Sequence, residues 1–197
     1  MILGSHNSWS FLKVKEWYFK PFFWVAKCQN KTIAEQYKLG VRYFDLRLRY
    51  NHKTGDFEPA HGLVTFKVEK VTHWFIRNLQ SLNYCAHTKG EKIYVRVLLE
   101  TKSPDETEKK KFTELCEMLE STFKDITFTG GFMCRQWRNY LYHFSTNKPT
   151  LDDKYSSVIP PKIRGIFPWL YAVTNNRKNI EKGTDKEVLF IDFVDIK

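Results

Sequence analysis

A chain of 197 residues is long enough for one domain with a substantial buried core, and no break in composition divides it, so residues 1–197 are read as a single domain. Its 32 Lys and Arg against 22 Asp and Glu give a formal charge of +10, which favours anionic partners without choosing among nucleic acid, an acidic membrane and a phosphate-bearing substrate. No run approaches the ~20 apolar residues of a membrane span, and Cys28, Cys85, Cys116 and Cys134 are too scattered for a Cys-x-x-Cys zinc site or a dense disulfide framework.

Ile2-Leu3-Gly4-Ser5 reads as a first strand that runs out into His6-Asn7-Ser8. With no signal peptide ahead of it, either the chain stays in the cytoplasm or a leader has been removed and it is secreted or peripheral to a membrane. Residues 9–29 hold Trp9, Phe11, Trp17, Tyr18, Phe19, Phe22, Phe23 and Trp24 among Lys13, Lys15, Lys20 and Lys27. One short helix cannot turn so many rings inward, so some belong at the surface. Thr32-Ile33-Ala34-Glu35 is a capping-box pattern and Gly40 stands where a left-handed cap would end the segment, predicting a helix over 33–39.

In the strand that follows, alternation puts Arg42, Phe44, Leu46 and Leu48 on one face and Tyr43, Asp45, Arg47 and Arg49 on the other. One face is apolar and the opposite one carries charge at the strand's exit, the pattern of a site. Tyr50 to Phe57 predicts a hairpin turning at Thr54-Gly55-Asp56 and returning Ala60-His61-Gly62 toward the first strand. Apolar spacing through Val68, Val71, Phe75 and Leu79 predicts a helix over 67–83, which leaves His73 and His87 as surface or packing residues. Lys92 to Leu99 is a third strand, with Arg96 and Glu100 on the face opposite Ile93, Val95, Val97 and Leu99. Ser103-Pro104-Asp105-Glu106 predicts a helix to about Phe123, capped by the serine, with the proline in its first turn and Phe112, Leu115, Cys116, Met118 and Leu119 on its buried stripe. Ile126–Phe128, Ile163–Leu170 and Val188–Val194 read as further strands, and strands alternating with helices predict an α/β fold on a parallel sheet.

Three of these stretches, in this order, resemble the catalytic X region of phosphatidylinositol-specific phospholipase C and its bacterial relatives: Ser5-His6-Asn7-Ser8, Gly40-Val41-Arg42-Tyr43-Phe44-Asp45-Leu46-Arg47, and Ala60-His61-Gly62. The likeness is tight over residues 2–66 and looser at a later strand ending in Asp192. It implies a compact, irregular TIM-type (β/α) barrel with its site at the C-terminal rim of the strands; a regular barrel takes about 250 residues, so this one is short. It also implies cleavage of phosphatidylinositol-type lipids to diacylglycerol and a cyclic inositol phosphate. His6 would act as base, oriented by Asp192 with Asp195 as the rival, His61 as acid, and Arg47 as the cation on the phosphoryl oxygens. Asp45 and Asn7 would support them, with Asp45 backing His61.

Where the calcium-dependent animal enzymes carry Glu-x-Asp on the second strand, this chain reads Asp45-Leu46-Arg47, so a fixed cation replaces a metal ligand. No metal and no cofactor are expected. Against the bacterial pattern, Asn7 stands where an aspartate follows the first histidine. Glu100, Lys102, Arg164 and Tyr171 are candidates for a polyhydroxylated headgroup pocket, surface exposure being the plainer reading of each. Phe22, Phe23 and Trp24, beside Pro21, match the rim helix that meets membrane in the bacterial relatives, or else pack in the core. The partners so implied are a phospholipid substrate and an anionic membrane surface touched peripherally, by a monomer that binds no nucleic acid. The competing readings are a relative of the same fold acting on glycerophosphodiesters or sphingolipids, and an inactive basic lipid-binding module.

Overall fold

The computed structural model describes residues 1–68, 71–101, 103–133, 140–142, 167–182 and 188–196. Its centre is a run of parallel strands in the spatial order β8 (Val188–Ile191), β1 (Ile2–Ser5), β2 (Tyr43–Asn51), β5 (Ile93–Leu99) and β6 (Ile126–Met133), with β7 (Tyr140–Tyr142) added antiparallel to β6. Beyond the point where β1 leaves it, the same edge of β2 pairs with the antiparallel hairpin strand β3 (Asp56–His61), which continues into β4 (Val64–Thr65). The sheet is curled in the manner of a TIM-type barrel, and among the described residues β8 and β7 do not pair to close it.

The alternation along β2 and β5 decides the layers. Phe44, Leu46, Leu48, Val95, Val97 and Leu99 point outward into the main core, where they meet Phe75 and Leu79 of α3 (Val71–Lys89) and Phe112, Cys116 and Leu119 of α4 (Glu106–Thr122). The alternate residues line the inside of the curl. At its N-terminal end Tyr43, Val188 and Phe190 form a small apolar plug, and Gly4 is required there because a Cβ would come within 2.8 Å of the Phe190 ring. Above the plug the lining turns polar with Asp45, Arg47, Arg96 and Glu100, all buried. A charged interior is stable only when its charges are paired, and that pairing builds the site described below.

The short helix α2 (Ile33–Lys38) begins at Thr32, whose side chain accepts from Glu35 N while Glu35 accepts from Thr32 N at 2.8 Å, and it ends before Gly40 at φ 96°, as the sequence predicts. Helix α3 runs later than predicted, to Lys89. Helix α4 is capped by Asp105 and not by Ser103: Asp105 Oδ1 accepts from Glu108 N at 2.8 Å and Glu108 Oε2 accepts from Asp105 N at 2.9 Å, so the box two residues on wins over the serine. The strand expected over Ile163–Leu170 is not one where it is described; Pro168 instead opens α5 (Pro168–Lys182), taking the first-turn position that its missing N–H suits, while 163–166 lie outside the described residues. Residues 17–26 form a 3-10 helix (Trp17–Phe22) running into a single turn, α1 (Phe23–Ala26). The last strand stops at Ile191, which leaves Asp192 just past its end. No helix among the described residues is long and apolar enough to cross a membrane.

Candidate active site

Parallel pairing of β1 with both β8 and β2 brings their C-terminal exits together: Ser5 lies beside Ile191 on one side and Phe44 on the other. His6 N–H still donates to Ile191 O at 3.0 Å, after which Asn7 enters the left-handed region at φ 40°, a conformation asparagine tolerates better than most residues. That turn aims Asn7 N–H at Asp45 Oδ2 (3.0 Å) and lets Ser8 clasp the Asp45 main chain from both sides. Ser8 N–H donates to Asp45 O at 2.7 Å, and Asp45 N–H donates to Ser8 Oγ at 2.8 Å. The exits of β1 and β2 are thereby locked together.

Two imidazoles stand above this floor. His6 Nδ1 is 2.6 Å from Asp192 Oδ1, and the carboxylate places the proton on Nδ1 and the lone pair on Nε2. His61, at the end of β3, donates Nδ1–H to the carbonyl of Ala26 at 2.9 Å, which selects the same tautomer. The rings meet edge to face, with centroids 5.2 Å apart and planes at 86°. Burial holds His61 below the usual imidazole range and the charge of Arg47 pushes the same way, against the pull of Glu100, the Ala26 carbonyl and Asp192.

Arg47 lies between two carboxylates, with Nε donating to Asp45 Oδ2 at 3.0 Å and Nη1 to Glu100 Oε1 at 3.3 Å. Asp45 is completely buried and takes a further charged donor, Arg96 Nε, on Oδ1 at 3.0 Å. Burial alone would raise the pKa of this carboxyl, but Arg47 and Arg96 outweigh it and hold the group well below the usual carboxylate range. The two carboxylates hold the Arg47 guanidinium in a fixed position. Two acceptors beside it, Asn7 Oδ1 and Glu100 Oε2, are buried with no hydrogen-bond partner among the described residues.

Of the residues singled out from the sequence, the fold brings together His6, Asn7, Asp45, Arg47, His61, Glu100 and Asp192. Asp192, not Asp195, holds His6. The expected backing of His61 by Asp45 is not what the structure has: Asp45 is engaged by Asn7 N, Arg47 and Arg96, and a main-chain carbonyl orients His61. Tyr171 is buried on helix α5 instead of following a strand. Lys102 and Arg164 lie outside the described residues, as does Cys134. Phe22, Phe23 and Trp24 are exposed, which removes the core reading for them.

Three contributors were not singled out from the sequence. Gln29 is fully buried: Nε2 donates to His6 O (3.1 Å) and Ile191 O (3.0 Å), and Oε1 accepts from Val194 N (3.1 Å), so one side chain ties the exit of β1 to that of β8. Ala26 acts through its carbonyl. Arg96 could have been suspected, being the one cation on the inward face of an otherwise apolar strand.

Compared with known proteins, the sequence matches no family model and no curated protein. The fold does have relatives. Over 98% of this chain it superposes on 87% of a phosphatidylinositol-specific phospholipase C from Listeria monocytogenes, with a TM-score of 0.62 at 16% identity. The N254Y/H258Y double mutant of the Staphylococcus aureus phosphatidylinositol-specific phospholipase C matches with a TM-score of 0.59 at 19% identity, covering 98% of this chain and 84% of that one. The chain has the phosphatidylinositol-specific phospholipase C fold. A further form of the S. aureus enzyme, the F249X mutant, agrees with a TM-score of 0.53 at 17% identity over 98% and 85% of the two chains. The phospholipase C likeness expected from three short motifs thus extends over nearly the whole chain at the level of the fold, far beyond residues 2–66.

Proposed function

We propose that this chain is a phosphodiesterase that cleaves phosphatidylinositol-type lipids without a metal ion, residues 1–197 forming one catalytic domain. The observation that carries the reading is the pair of imidazoles, each with Nδ1 spoken for, standing over an arginine gripped by two carboxylates. In this reading His6 Nε2 takes the proton of the inositol 2-hydroxyl, and the resulting oxygen attacks phosphorus. The bond to the diacylglycerol oxygen breaks as His61, entering the step protonated, gives that oxygen the proton on its Nε2, leaving diacylglycerol and a cyclic inositol phosphate. Asp192 keeps the His6 ring aimed and balances the imidazolium formed on it. Arg47 opposes the charge that grows on the phosphoryl oxygens; in a site this buried the attraction is several times its value in bulk water. The buried acceptors Asn7 Oδ1 and Glu100 Oε2 suit a headgroup rich in hydroxyl donors.

Contact with the lipid surface falls to the segment around α1. Trp17 and Phe22 are 77% and 62% exposed, and Trp24 stacks on Phe167 with centroids 5.0 Å apart, joining this segment to exposed Trp169 and Leu170. Phe23 shares a cleft with Phe11, Leu12, Lys13, Lys20 and Lys27, so cations suited to anionic headgroups flank the exposed rings. The partners proposed are therefore a phospholipid and an anionic membrane, with the protein acting as a monomer and not on nucleic acid.

The test is a panel of phosphatidylinositol, a glycerophosphodiester and sphingomyelin presented to the purified chain and to His61→Ala. Release of diacylglycerol from phosphatidylinositol alone, lost in the variant, supports the reading. Turnover confined to another member moves the substrate within the same fold, and no turnover with tight vesicle binding would mean an inactive lipid-binding module.

A further inference from the structure

Cys28 is absent from the reaction described above, yet it lies at its centre. Its sulfur is 3.8 Å from His61 Nδ1, and one nitrogen of His6, one nitrogen of His61 and the Cys28 sulfur all fall within 4.8 Å of one another. The main chain around the thiol is fixed: Cys28 N–H donates to Ser10 Oγ at 2.9 Å and its carbonyl accepts from Phe193 N at 2.6 Å, so the sulfur is delivered to this point by the same exits of β1 and β8 that deliver His6 and Asp192.

From this juxtaposition we infer that His6, Cys28 and His61 form a binding site for a borderline-soft divalent cation, zinc above all, and that the bound ion shuts the enzyme by occupying its base and its acid together. Two imidazoles and a thiolate are a ligand set that favours zinc over magnesium or calcium, which want oxygen. The oxygen ligands that could invite a hard cation, Asp45 and Glu100, are engaged by Arg47 and Arg96. His6 has the outer shell of a metal-bound histidine, since Asp192 on Nδ1 orients the ring and leaves Nε2 to a metal. Charge also balances. With both imidazoles neutral, Asp192 and a Cys28 thiolate supply two negative charges to a divalent ion.

Binding forms one metal–sulfur and two metal–nitrogen bonds and releases the thiol proton to solvent. Ligand atoms of a tetrahedral zinc site lie about 3.5 Å apart, given bonds of about 2.0–2.3 Å. Separations within 4.8 Å close to that by side-chain rotation on a main chain already in place. The fourth position would hold water or compete for a phosphoryl oxygen.

Direct binding tests the site independently of whether the proposed lipid reaction is correct. Cobalt(II) is titrated into the metal-free protein and the thiolate-to-cobalt charge-transfer absorption is followed, then zinc is added to displace it. One equivalent should give the band in the unmodified chain. Cys28→Ser should lose the band and bind zinc at least about tenfold more weakly, and His6→Gln should keep the band while losing affinity by a similar factor. Asp192→Asn, which only loosens the outer shell, should weaken zinc by about tenfold. Circular dichroism on each variant confirms folding, and should Cys28→Ser fail to fold, His6→Gln and Asp192→Asn decide. No charge-transfer band in the unmodified chain, or zinc affinity unmoved in folded variants, overturns the site. Where lipid turnover is measurable, zinc should inhibit it competitively with substrate and chelator should restore it; tight zinc binding with undiminished turnover would overturn the inhibitory role.

Discussion

Gln29 reaches no substrate in the proposed reaction, yet the base depends on it. Its side chain ties His6 O, Ile191 O and Val194 N across the gap between β1 and β8, the two strands whose exits carry His6 and Asp192. In Gln29→Met, which keeps the volume, Ile191 O retains the His6 N–H, but Val194 N loses its acceptor in a fully buried place. Such a buried donor costs about 1–3 kcal/mol, and the variant should lose about that much stability. For a chain of this length that lowers the melting temperature by about 2–12 °C. The 2.6 Å contact between His6 and Asp192 spans the same seam, and a drift of the order of 1 Å there should cut kcat by up to about a hundredfold while KM moves little. Gln29→Glu should be as harmful despite its shape, because it turns an oxygen toward the two carbonyls. Calorimetry gives the stability and initial rates on phosphatidylinositol give the kinetic split. Unchanged melting and unchanged kcat in Gln29→Met would refute the idea that this amide holds the dyad together.

Arg47→Ala should lose several orders of magnitude in turnover without rescue by calcium, and Arg47→Lys should also be poor because an ammonium loses the planar fork that reaches Asp45, Glu100 and phosphate together; calcium-restored activity in either variant would sink the metal-free account. Serine at Phe22, Phe23 and Trp24 should weaken vesicle binding and lipid hydrolysis but spare a soluble inositol phosphodiester, and equal loss on both substrates would place these residues in the site itself. As the acid, His61 must carry a proton, and burial with Arg47 nearby lowers its pKa, so kcat/KM should fall as pH rises through a value below about 6.5. A descending limb found well above that would take the acid role from His61.

What could be read in advance was local. The alternation of β2 separates Asp45 and Arg47 from Phe44 and Leu46 because a strand's side-chain period does not depend on its neighbours, and the α2 box closes within four residues. Helix α5 escaped because its buried face is made of Asn175, Asn176 and Asn179 as well as Tyr171 and Ala172, which erases the apolar period a helix normally displays. Asn176 alone donates to the carbonyls of Asp192, Phe193 and Ile196. Helix α4 offered two plausible caps, and only its end-to-end hydrogen bonding chooses Asp105. The partner of His61 was beyond reach for a different reason: a main-chain carbonyl has no letter in the sequence, and Ala26 meets His61 only because the turn of α1 packs against the end of β3. Nor does the sequence show that Arg96 takes the other oxygen of Asp45, which commits that carboxylate away from His61.

The central claim is that two histidines and an arginine cleave an inositol phospholipid by internal attack. Phosphorus NMR of phosphatidylinositol vesicles with the purified chain in excess chelator tests it most directly. A cyclic inositol phosphate should appear as the first water-soluble product and be abolished in folded His6→Ala and His61→Ala. An acyclic phosphate as the first product, or conversion that needs added calcium, would contradict the account.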